Sequence, residues 1–312
     1  WCARWLGVSV LLLTLGAAAF AVAPQTSQLR LVSTAWSPFT NEPGKPRFAL
    51  DLVETGLGRI GIKTTTTIVE AAQFTPALLG GTFDGSAAAW KDAERERTLI
   101  FSQPYLENRL ILVARRGGDV SAATLGALKG KQIAIVEGYS YGEALDLSGP
   151  AFVRARTEEE SLKLLLDSKV DYTLMDELVV QHIVSNYAEE ARTRLQIGTT
   201  PLIRRQLHLA VRRSLADAEA IVNGFNAQLR GMISDRTYHR LLHVDWISAD
   251  VDGDGLPEYV PQSDRLGAAE PTRAYSLFSI EPSAMPTPQT RQRFLVGGSV
   301  YDGWTTVPDR FK

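Results

Sequence analysis

The residues best equipped for chemistry lie in one stretch, 90–105, which reads W-K-D-A-E-R-E-R-T-L-I-F-S-Q-P-Y. Lys91, Asp92, Glu94, Arg95, Glu96 and Arg97 crowd its first half, and Leu99, Ile100 and Phe101 follow abruptly. A charge run is by default a solvated loop. Set between apolar, strand-like runs, this one admits a second reading, in which a guanidinium points into a cleft and holds an anion. Its planar pair of donors matches a carboxylate, which suits Arg95, or alternatively Arg97, to the task.

Gly138-Tyr139-Ser140-Tyr141-Gly142 is a second candidate. It satisfies G-x-S-x-G between a strand and a helix, the setting of a hydrolase nucleophile. Asp176, then His208 or His239, follows in the required order, but no Gly-rich oxyanion segment precedes it. The same loop suits anion binding, because a helix start offers free N–H groups and partial positive charge. Asp176 is placed either to take an ammonium or to cap the helix after it. Trp36, Phe39 and Trp90 suit a cleft wall or a core. Lys91, Asp176 or His208 could act as acid and base in a cleft.

Asp250, Asp252 and Asp254 alternate, with Gly255 for a sharp turn and then Leu256 and Glu258. These are the first nine positions of a calcium loop. Position twelve is Pro261, so Glu258 has to replace the usual bidentate Glu. The expectation is a structural Ca2+ held by Asp250, Asp252, Asp254, Leu256 and Glu258; the alternative is an acidic turn. No cofactor is expected for the main function.

Strand-like and helix-like runs must position these groups. Residues 29–34, 64–69, 110–114, 132–136, 170–175, 195–197 and 207–211 read as strands. Leu50, Val53, Leu57 and Ile60 recur at helical spacing, and Gly61 ends that helix. Thr157 and Glu160 form a capping box, and Ser214 is the expected cap of a long helix faced by Ile221, Phe225, Leu229 and Met232. Strands alternating with helices imply a parallel sheet covered on both faces. After Pro261 the chain turns Pro-, Ser- and Thr-rich, with one hairpin expected over 293–301.

The chain has 312 residues, 45% hydrophobic and 22% charged, with net charge −2. That is a globular composition with room for two domains. The absence of a basic excess argues against nucleic-acid binding. The single cysteine, Cys2, excludes an internal disulfide. Residues 1–23 have the order of a secretory signal, with Arg4, an apolar core and small residues around Ala21 and Ala23. A membrane anchor is the alternative.

Five segments in order resemble the family-three extracellular solute-binding proteins of bacterial ABC importers. They are Trp36-Ser37-Pro38-Phe39; Phe48-Ala49-Leu50-Asp51-Leu52 with Gly61; Glu94-Arg95 ahead of Phe101-Ser102-Gln103-Pro104-Tyr105; Leu128-Lys129-Gly130-Lys131 with Gly138-Tyr139-Ser140; and the run from Val170 to Asp176. The resemblance covers residues 29–246. It implies an α/β two-lobe fold of the type II periplasmic-binding class, with two crossovers near Val113-Ala114 and Leu207-His208. Lobe 1 would comprise 27–113 and 208–249, lobe 2 114–207, then the calcium loop 250–261 and an irregular extension, 262–312. In the amino-acid receptors of such a family, the arginine matching Arg95 clamps the ligand carboxylate, amides near Ser140 assist, and the carboxylate matching Asp176 takes the amino group. Ligand-binding residues expected here are Trp36, Phe39, Trp90, Arg95, Tyr139, Ser140 and Asp176. The chain departs from the pattern at Trp90-Lys91-Asp92, Gln103 and Ala49. The resemblance implies a periplasmic, monomeric, non-catalytic receptor that passes a small amino-acid-like or organic-acid solute to an ABC permease in the inner membrane. A dehydratase-like enzyme in the same cleft and a sensor for a separate membrane partner are the alternatives.

Overall fold

The structure, a computed structural model, describes residues 26–142, 145, 149–251, 254–271, 274–276 and 292–312. The expected signal, 1–23, lies outside them. Among the described residues no helix is long and apolar enough to cross a membrane.

Lobe 1 begins with β1 (Gln28–Thr34), α1 (Phe48–Gly58), β2 (Lys63–Val69), α2 (Ala71–Leu79), β3 (Gly85–Trp90), the short α3 (Ala93–Glu96) and β4 (Leu99–Phe101). β5 (Leu106–Arg115) leads into lobe 2, built from β6 (Gln132–Val136), β7 (Ala151–Ala155), α4 (Glu158–Leu166), β8 (Tyr172–Asp176), α5 (Glu177–Asn186) and α6 (Ala188–Arg194). β9 (Leu195–Arg212) returns to lobe 1, which closes with α7 (Ala218–Ser234) and α8 (Thr237–Leu242). A second sheet follows: β10 (Trp246–Ala249), β11 (Glu258–Pro261), β12 (Tyr275–Ser276), β13 (Arg293–Val296) and β14 (Ser299–Asp302).

The main sheet runs β2-β1-β3-β9-β5-β8-β6-β7, with β4 also on β9. β1, β2 and β3 are parallel, as the alternation of strands and helices predicts, and so are β6, β7 and β8. The central pair is antiparallel: residues 195–197 and 207–211, expected as two strands, belong to the single 18-residue β9. β9 has to run back against β5 because it returns the chain to the lobe that β5 left. From Leu110 onward β5 pairs with β8 of lobe 2, while β9 pairs with β3 of lobe 1 from Leu207. β5 and β9 thus carry the chain between the lobes side by side.

α7 buries Ile221, Phe225, Leu229 and Met232, the apolar face its spacing predicts. It approaches α1 at Gly56, where a Cβ would lie 2.9 Å from the Phe225 ring. Its cap position is Asp217, not Ser214, and it makes no side-chain cap bond. The Asp217 carboxylate instead accepts from the Thr26 amide at 2.6 Å. At α4, Thr157 accepts from Glu160 N–H at 3.1 Å, as expected of a cap. Glu160 returns its bond one residue early, to Arg156 N–H at 2.7 Å.

In the extension the expected hairpin is present as β13 and β14, paired from Arg293↔Asp302 to Val296↔Ser299. It joins β10 and β11, and Phe294, Val296, Trp304 and Val307 form a small core beneath it.

Candidate functional site

The ends of β1 and β3 and the loop after β6 meet at the lobe boundary. One pocket there is lined by Ser33, Thr34, Trp36, Trp90, Arg95 and the loop from Gly138 to Ser140. A larger one lies on the other side of Trp36, between Ala35 and Ser37 of lobe 1 and Glu158, Val179 and His182 of lobe 2. Gly138 makes the close approach possible: it sits at φ +81°, and a Cβ there would lie 2.4 Å from the Ala71 carbonyl oxygen at the start of α2. Tyr139 enters the cleft between Trp36 and Trp90, its ring 5.5 and 5.7 Å from theirs. Trp36 and Trp90 meet edge-on at 5.7 Å. Phe39 is fully buried between Trp36 and Phe48, behind the pocket wall.

Arg95 is 3% exposed and projects from α3 into the cleft. Its Nη1 donates to the Trp90 carbonyl at 2.8 Å and its Nη2 to Thr75 Oγ1 at 2.9 Å. Its Nε lies 3.4 Å from Asp92 Oδ2. Burial pulls the Arg95 guanidinium below its ordinary pKa, with Asp92 opposing and Arg205 adding to the pull. Arg97 is exposed, so of the two arginines only Arg95 faces the cleft.

Asp92, at the point where the chain leaves the resemblance, connects the lobes. Its Oδ1 caps α3 by accepting from Arg95 N–H at 2.8 Å. Its Oδ2 accepts from Ser140 Oγ at 2.6 Å. Burial pushes this carboxyl up, but bonds from the Arg95 amide and Ser140 and the Arg95 charge hold it below the usual range. Arg205, on β9, donates to the Lys91 carbonyl at 2.6 Å and stands 5.8 Å over the Trp90 ring.

Asp176 is not among the pocket-lining residues. Its Oδ1 caps α5 through Leu178 N–H at 2.7 Å, and its Oδ2 accepts from Asn108 Nδ2 at 3.1 Å and Arg109 N–H at 3.0 Å. Burial pushes it up to about 7 against the pull of those donors. Asn108 links it to the cleft wall by accepting from Trp90 Nε1 at 2.7 Å. Glu158, at the first turn of α4, faces the Trp36 indole nitrogen from lobe 2, short of a hydrogen bond of good geometry. Burial, with Asp176 and Glu159 nearby, pushes Glu158 up to about 8.

Sequence reasoning missed Thr75, Asn108, Glu158 and Arg205. Only Asp92 carried a local signal, as an Asp three residues before the amide it caps. The other four reach the site through tertiary contacts.

The hydrolase arrangement is not assembled. Ser140 donates to Asp92, His208 Nδ1 pairs with the Ser102 carbonyl at 2.8 Å, and His239 Nε2 pairs with the Val260 carbonyl at 3.0 Å. Burial lowers His208 to about 4, which keeps it neutral. The helix expected after Gly142 lies mostly outside the described residues.

Of the expected calcium ligands, Asp252 lies outside the described residues. Asp250 Oδ2 accepts from Gly255 N–H at 2.9 Å, and Asp254 Oδ1 from Leu256 N–H at 2.8 Å. Arg293 stands 2.7 Å from Asp254 Oδ2 and 2.9 Å from Glu258 Oε1. A guanidinium thus supplies the positive charge between these carboxylates, and a cation binding both would have to displace it. Among the described residues no group of three or more His, Cys, Asp or Glu side chains is arranged to hold a metal.

Two α/β lobes joined by a pair of crossing strands, with a cleft between them, define the type II periplasmic-binding class. Solved structures of that class share the fold. Holo ArgBP from T. maritima is 23% identical, with a TM-score of 0.55 over 66% of this chain and 90% of that one. The GluR0 ligand-binding core from Nostoc punctiforme in complex with L-glutamate is 21% identical, with a TM-score of 0.57 over 68% and 96%. The amino acid ABC transporter substrate-binding protein AbpA from Streptococcus pneumoniae, bound to L-arginine, is 15% identical, with a TM-score of 0.58 over 70% and 93%. No curated protein sequence matches the chain. The family of bacterial extracellular solute-binding proteins, family 3, matches residues 31–248, and the chain belongs to it. The family and these relatives are described as binding proteins.

Proposed function

We propose that this protein captures a small solute bearing an acid group, amino-acid-like or organic-acid, and delivers it to an ABC permease of the inner membrane. It works as an exported, periplasmic monomer. The observation that carries the reading is Arg95: a guanidinium buried at a lobe boundary, facing a hydroxyl of the opposite lobe across a carboxylate. Burying a charge is costly unless it is paired, and the charge that Asp92 sets against Arg95 here is the kind a solute's acid group would bring. The pocket walls Trp36, Trp90 and Tyr139 suit the apolar body of such a solute. Two of the relatives above are described with bound amino acids, which supports the same class.

The test is a thermal-shift screen of the mature domain against amino acids and organic acids, followed by calorimetry. One class of acid-bearing compound is expected to raise Tm, with binding weakened about 100-fold or more in Arg95→Ala, since charge-assisted bonds are worth several kcal/mol when buried. Stabilisation that survives Arg95→Ala unchanged would overturn the assignment.

A further inference from the structure

An acid group of the chain itself already stands beside the groups of this cleft suited to one. Asp92 Oδ2 receives the Ser140 hydroxyl of lobe 2 at 2.6 Å and lies 3.4 Å from Arg95 Nε of lobe 1. Asp92 Oδ1 takes the Arg95 amide at 2.8 Å. The carboxylate stands between the lobes, within the field of both Arg95 and Arg205. Beside this contact Gly138 seats on the Ala71 carbonyl and Tyr139 fills the space between the two tryptophans. The lobes are thus in contact at this point, with an acid group supplied by the chain itself.

We propose that Asp92 is an internal ligand of the cleft: its carboxylate accepts the Ser140 hydroxyl of lobe 2 and sets its charge against Arg95 of lobe 1, in place of a solute's acid group, and holds the lobes together without solute. A solute carboxylate enters by displacing it. Asp92 therefore determines specificity as well as closure, because it disfavours acids that offer nothing beyond one carboxylate. This second consequence rests on the solute-binding reading above; the closure does not. Physically, Asp92 reduces the fraction of molecules competent to bind, and apparent affinity falls by that fraction.

Asp92→Thr separates the roles. A threonine hydroxyl still caps α3, but the charge and the second oxygen are gone. Small-angle scattering of solute-free protein is expected to show a compact wild type and a larger radius of gyration for Asp92→Thr, with Ser140→Ala shifted in the same direction. Circular dichroism and Tm confirm that each variant is folded. Calorimetry with the L-amino acids, acetate and succinate is expected to give at least a tenfold tighter Kd for Asp92→Thr than for wild type. A wild type as extended as Asp92→Thr overturns the internal ligand. Equal or weaker carboxylate binding in Asp92→Thr overturns the specificity role. If no compound binds either protein, the solute reading fails, and scattering still decides the latch.

Discussion

The lobes meet in two places built on different principles. At the hinge they share β5 and β9, which pair from Leu106↔Leu207 to Arg115↔Leu195 with register shifts between Leu110 and Val113. Glu107, 1% exposed, sits there with Arg109 Nε at 2.9 Å and with Arg204, and Tyr275 of the second sheet donates its hydroxyl to the Glu107 carbonyl. Tyr238 adds a bond to the Tyr105 carbonyl at 2.5 Å. At the cleft no strand crosses. The contacts are side-chain pairs, a glycine on a carbonyl and aromatic rings that meet edge to face. The hinge would have to unfold to separate, whereas the cleft needs only to release Ser140 from Asp92 and withdraw Tyr139. The difference places motion at the cleft and stability at the hinge, as hinge closure around a ligand requires. It also gives the second sheet a role: β12 braces β5 from outside the two lobes, with Arg109 4.9 Å over the Tyr275 ring.

The comparison can be broken most sharply at Glu107. Glu107→Ala removes the shared carboxylate of Arg109 and Arg204, while Arg109 keeps Glu177 at 3.6 Å, and losing hydrogen bonds to a charged group costs about 1.5–3 kcal/mol. Urea unfolding is expected to show that loss; a change below about 1 kcal/mol would mean that the hinge is not held there. Gly138→Ala probes the other side. It adds a Cβ to the contact with Ala71 and imposes a positive φ on a residue with a side chain, which costs about 1–2 kcal/mol. Solute affinity is expected to fall about tenfold or more, with a larger radius of gyration and little effect on the hinge.

A smaller effect is expected at Glu158. Its folded pKa, about 8, lies above its ordinary 4.5. Between those values the folded state keeps a proton that the unfolded state has released, so stability falls as pH rises through this window. Wild-type Tm should drop between pH 5 and pH 8 more than that of Glu158→Gln, measured at constant ionic strength. Equal slopes would remove Glu158 from the lobe boundary as a titrating group. The smallest effect concerns calcium. With Arg293 between Asp254 and Glu258, calcium is expected to leave wild-type Tm nearly unchanged and to raise that of Arg293→Ala. A wild-type Tm that falls with chelator would instead establish the ion that the acidic spacing suggests.

Much of the fold was legible from local pattern. Helix faces such as Ile221, Phe225, Leu229 and Met232 follow a 3.6-residue period that core burial imposes, and Thr157 announces its helix through a cap that needs only neighbouring residues. The union of 195–197 and 207–211 into one strand was not legible, because residues 198–206 are mostly polar or turn-forming, and β5 pairs with them at Pro201 and over 203–206. Asp176 shows the same division at the site. Its place ahead of a helix was readable, and so was capping as a use for it. That its second oxygen serves Asn108 and Arg109, away from the pocket lining, depends on how β5 lies against β8.

By itself, the sequence determined the family, the alternation of elements and the presence of an arginine-bearing segment ahead of Phe101-Ser102-Gln103-Pro104-Tyr105, since these depend on residue type and short spacing. Only the tertiary structure decided which arginine turns inward and which carboxylate meets it. Arg95 and Asp92 are three residues apart, but Ser140 lies 48 residues from Asp92. Their meeting depends on the packing of two lobes, which local periodicity does not encode.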